Sequence, residues 1–112
     1  MGFLISFNRK MYLTNYINSL ERRLNDITSQ KLNLTETITQ LSSQISDLGN
    51  TDSPAVKKLE ARKVELENLD KQLDIRMQKI QAQLQAANTE LQSADQALQQ
   101  NIQRSFSYNF GG

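Results

Sequence analysis

Apolar residues recur along the first half of the chain in alternating steps of four and three. Leu13, Ile17, Leu20, Leu24 and Ile27, then Leu34, Ile38, Leu41, Ile45 and Leu48, form one seam that only Lys31 interrupts. A mean step of about 3.5 residues keeps all of them on one stripe of an α-helix, which is the contact line of a coiled coil. The pattern predicts a first helix over about 3–48.

The seam stops at a run of turn chemistry. Gly49 suits a left-handed helix C-cap. Asn50, Thr51 and Asp52 are turn formers. The Ser53 hydroxyl can cap a following helix, and Pro54, the single proline, fits the first turn of one. A turn over 49–53 and a second helix over about 54–105 follow. Leu59, Leu66, Leu69, Leu73, Met77, Ile80, Leu84, Ala87, Leu91, Ala94, Leu98 and Ile102 carry the second seam, with a stutter across 66–80 that locally unwinds a supercoil. Residues 106–112 leave the pattern and end in Gly-Gly.

A connection this short returns the second helix antiparallel to the first, pairing positions whose numbers add to about 103. The expected fold is all-α: a single-domain antiparallel two-helix coiled-coil hairpin. Leu32, Val64, Ile75 and Ala86 lie off the seams and widen the apolar stripe beyond what two helices cover, so the hairpin is expected to be oligomeric.

Composition narrows the chemistry. The 112 residues include no Cys, His or Trp. That removes thiolate chemistry, the commonest general base and the commonest metal ligand. The many carboxylates sit on a charged helical surface with no nucleophile or ligand set beside them, so no enzyme, cofactor or metal site is expected. A net charge of +1 argues against a nucleic-acid binder. No apolar run approaches the roughly 18 residues of a membrane span. The apolar start, Met1 to Phe7, precedes the first positive charges, Arg9 and Lys10, which is the wrong order for a cleavable signal. Gly2 with Ser6 fits a loose myristoylation pattern, and equally an apolar helix start. The expected location is the cytoplasm, or outside the cell by a signal-independent route.

Three features bear on function. All seven aromatics lie at the ends: Phe3, Phe7, Tyr12 and Tyr16, then Phe106, Tyr108 and Phe110. The fold-back gathers them, either as an assembly interface between subunits or as a plug within one hairpin. Charge falls along the second helix. Residues 57–79 carry twelve charged side chains, whereas 81–103 carry only Glu90 and Asp95 among many glutamines, as a helix-packing face would. Lys31, alone on its seam, falls opposite Asp70 to Asp74; it either pairs there and fixes register or extends its amine to water.

The short turn Asn50-Thr51-Asp52-Ser53-Pro54-Ala55, the run Ala97-Leu98-Gln99-Gln100-Asn101-Ile102-Gln103, and the richness in Gln, Asn, Ser and Ala resemble exported helical-hairpin filament subunits. These are the type III secretion needle subunits and the terminal helices of flagellin. The chain departs from needle subunits in its greater length, its strict heptads and its aromatic tail. The resemblance implies a structural, self-assembling homo-oligomer of a filament, tube or secretion-needle-like assembly. The other reading is an intracellular coiled-coil adaptor or chaperone that binds a partner helix.

Overall fold

A computed structural model describes residues 2–49 and 52–110, except the side chains of 105 and 107–110. Two helices account for nearly all of it: α1, Gly2–Leu48, and α2, Pro54–Phe110. No strand occurs among the described residues. The fold class is the two-helix antiparallel hairpin. Contacts sort into two compact units, one of residues 24–79 and one of 1–23 with 80–112.

The unit of 24–79 contains the turn. Gly49 closes α1 at φ +64°, and its N–H donates to the Ile45 carbonyl at 3.4 Å. That angle is left-handed, where a Cβ costs about 1–2 kcal/mol and glycine costs nothing. The Ser53 Oγ accepts from the Val56 N–H at 3.1 Å, satisfying one of the orphan donors at the start of α2. Val56 is fully buried there, and Ile27, Leu66 and Leu73 complete the unit's buried core. The seam residues Leu34, Ile38, Leu41 and Ile45 are only half-buried, and Leu48 and Leu69 are exposed.

In the unit of 1–23 with 80–112 the core is Leu13, Ile17 and Leu20 from α1 and Ile80, Ala87, Ala94 and Leu98 from α2. Ala87 and Ala94 put small side chains on the buried line of α2. Ile102, a seam position by spacing, is exposed. Each fully buried leucine, Leu20 in this unit and Leu73 in the other, contributes about 1.5–3 kcal/mol of transfer free energy.

One expectation needs correcting. The backbone stays helical to Phe110 and does not leave the helix at 105. The stretch 105–110 holds weak helix formers but neither Gly nor Pro, so a helix already nucleated propagates through it.

Candidate interaction surface

Polar groups join the two helices in each unit. In the unit of 24–79, Lys31 sits on the α1 seam with its side chain largely covered. Its Nζ donates to Asp70 Oδ1 at 2.9 Å and to Asp74 Oδ1. The two aspartates stand one helical turn apart on α2, so one amine bridges both. The hydrogen bond to Asp74, then that to Asp70, and the two negative charges hold the Lys31 amine above its ordinary pKa, against a smaller opposing effect of burial.

In the other unit the bridge is uncharged. Asn101 Nδ2 donates to the Gly2 carbonyl at 3.0 Å and to the Ser6 Oγ at 2.8 Å. Ser6 is buried, and Gly2 lies so close that a Cβ there would stand 2.8 Å from Asn101 Oδ1. Farther along, Lys10 Nζ pairs with Asp95 Oδ1 at 2.9 Å across the helices. Sequence reasoning did not single out these partners. Ser6 and Asn101 are ordinary residues in a Ser- and Asn-rich chain, and only their fold-back register signals them.

The five described aromatic side chains lie at the surface. Phe3, Phe7, Tyr12, Tyr16 and Phe106 are all exposed, Tyr12 at 69% and Phe106 at 63%. Phe3 stacks on Phe7 with ring centroids 6.2 Å apart, and Tyr12 on Tyr16 at 6.3 Å with planes within 2°. Spacing puts the two pairs on different stripes of α1: Phe3, Phe7 and Met11 on one, Ile5, Tyr12 and Tyr16 on the other. Tyr108 and Phe110 have side chains outside the described residues.

Each unit also carries an open groove between its helices. One, of about 340 Å³, is lined by Gln30, Asn33, Leu34 and Thr37 of α1 and Arg62, Leu66, Leu69 and Leu73 of α2. The other, of about 290 Å³, is lined by Tyr12, Leu13 and Tyr16 of α1 and Gln83, Ala86, Ala87 and Glu90 of α2. Among the described residues no group of acidic side chains could hold a metal ion, and no helix is long and apolar enough to cross a membrane.

The family model described as the loop region of the kinetochore protein NDC80 matches residues 4–109, nearly the whole chain. The chain belongs to the NDC80 loop family. No curated protein and no solved structure matches it.

Membership in the NDC80 loop family overturns the resemblance to secretion-needle subunits and flagellin helices, and with it the reading as a self-assembling, exported filament subunit. The physical reason is that the features behind that reading are not specific. A short Pro-containing turn, abundant Gln, Asn, Ser and Ala, and the lack of Cys and Trp suit any exposed helical hairpin. The intracellular coiled-coil alternative accords better with an NDC80 loop chain.

Proposed function

We propose that this chain is a hairpin coiled-coil segment of a kinetochore protein that serves as a binding module, not an enzyme, and docks a helix of another coiled-coil protein. Family membership supports the kinetochore setting. The observation that carries the docking role is where apolar surface is exposed. Of the fourteen large hydrophobic residues exposed among the described residues, nine lie in 1–23 and 80–112: Phe3, Leu4, Ile5, Phe7, Met11, Tyr12, Tyr16, Ile102 and Phe106. Exposed apolar groups concentrated in this way mark an interaction site, and aromatic and Met side chains are the types that anchor one. The same stretch of α2 carries few charges, so a second helix can approach with little desolvation of ions. An amphipathic helix laid against a helical face anchors itself through side chains three, four and seven residues apart.

The test is a fusion of the chain to a fluorescent protein, with a photo-crosslinking residue at exposed Ile5, expressed in dividing cells. The expected result is enrichment at kinetochores and a crosslink to a coiled-coil protein other than the chain itself. A diffuse signal, or crosslinks to the chain alone, overturns the reading.

A further inference from the structure

The groove beside the tyrosines has a composition that the neighbouring phenylalanine stripe lacks. Tyr12 and Tyr16 hold parallel rings along one wall. From α2 the small side chains of Ala86 and Ala87 and the acidic Glu90 line the same groove. Among the described residues no cation pairs with Glu90. The one other charge between residues 81 and 103 of α2 is Asp95, which is taken by Lys10, so Glu90 is the free charge on this part of α2. An aromatic face and an uncommitted carboxylate across one groove attract the same kind of guest. The ring quadrupole favours a cation within about 6 Å of its centroid, and the carboxylate neutralises it. Among protein side chains a guanidinium fits best: it is planar, stacks on a tyrosine face, and still offers N–H donors to a carboxylate at its edge.

We propose that the Tyr12–Tyr16–Glu90 groove is a pocket for an arginine side chain of the docking partner. The inference rests on the docking reading and sharpens it, because it says what the partner helix must carry. A helix lying along this stripe can extend one arginine over the tyrosines while its apolar residues cover Ile5 and Ala86. The groove's volume of about 290 Å³ is ample for one such side chain. The groove in the other unit offers no comparable site: its lining holds no aromatic ring, and its charged member is the cation Arg62.

The test uses the purified full chain and pentylguanidinium, with pentylurea as a neutral probe of the same shape. Titrations are followed by the aromatic resonances of Tyr12 and Tyr16 and the amides of Gln83 and Glu90. The expected result is a saturable shift with pentylguanidinium, weaker by threefold or more, on the order of a cation–π contact, in Glu90→Gln and in Tyr12→Leu, and at most a marginal shift with pentylurea. Both substitutions fall at exposed positions, and circular dichroism on each variant checks that the helices persist. Equal binding of the two probes, or binding unaffected by Glu90→Gln, overturns the pocket. No saturable shift does so as well. The outcome is separable from the docking test: a silent titration with crosslinks at Ile5 intact removes the arginine alone, and a saturable titration with a diffuse fusion removes the kinetochore partner alone.

Discussion

Lys31 is a cation on an apolar line, and its two aspartate partners make that placement tolerable. Lys31→Leu should keep the helical content and raise or preserve the urea midpoint, since leucine belongs on the seam. Asp70→Leu with Asp74→Leu should lower the midpoint, because the amine then stays partly covered without a counter-ion. A double-mutant cycle that shows no coupling between Lys31 and either aspartate would refute the role in register. The raised pKa of Lys31 also sets a sign with pH. Its pairing contribution is fully present below the ordinary lysine value, about 10.4, and is lost as pH climbs through the higher folded value. The midpoint of the native chain should therefore hold up to about pH 10.4 and fall above it, relative to that of Lys31→Leu, which lacks this titration. Asn101 acts without charge. Asn101→Ala leaves the buried Ser6 hydroxyl without its donor and should cost about 1 kcal/mol or more, and Ser6→Ala in the same chain should recover part of it.

At the scale of the helices, capping chemistry and side-chain periodicity made the fold class legible, because both act over a few residues. Gly49, Ser53 and Pro54 state where a helix can stop and start whatever else packs around them. The count of positions folding back about the turn reaches the neighbourhood where Lys31 meets Asp70 and Asp74; whether that pair sets register is a question for the variants above. Less was legible where apolar spacing and heptad phase disagree. Val56 stands three residues before Leu59 and on the heptad of Met77, Leu84, Leu91 and Leu98, and it is fully buried, while Leu69 and Ile102, counted with the seam as apolar residues, each lie one place off that phase and are exposed. A periodic pattern fixes a stripe but not how squarely two stripes meet. The same elements yield a ranked prediction. Leu73→Ala should cost about 2–5 kcal/mol and Val56→Ala about 2 kcal/mol through lost burial and the cavity left behind. Ser53→Ala should cost about 1 kcal/mol through the cap, and Gly49→Ala about 1–2 kcal/mol through a left-handed Cβ. Chemical denaturation followed by circular dichroism ranks them; a Gly49→Ala chain as stable as the native one would remove the left-handed cap from the account.

For the molecule as a whole, the informative contrast is between what holds the hairpin together and what it offers outward. Family membership corrected the functional reading because helical hairpins of unrelated purpose share their composition. Buried leucines occur in both units, but exposed aromatic and Met side chains among the described residues are confined to 1–23 and 80–112. Two triple variants separate folding from docking. Ile5→Ser with Tyr12→Ser and Tyr16→Ser removes the exposed stripe beside the tyrosine groove; Leu32→Ser with Val64→Ser and Ile75→Ser removes exposed apolar residues of the other unit. Each position is already in solvent, so each triple variant should keep its helical content and lose no more than about 1.5 kcal/mol, the usual scale for three surface substitutions. Their effects on docking should differ. The first should abolish enrichment of the fusion at kinetochores, because aromatic anchors carry most of the energy of an interface. The second should leave it intact. Denaturation midpoints and fluorescence imaging of the same two chains decide the matter. If the Leu32–Val64–Ile75 variant is the one that fails to localise, the docking surface belongs to the unit of 24–79, and the aromatic end is exposed for some other reason.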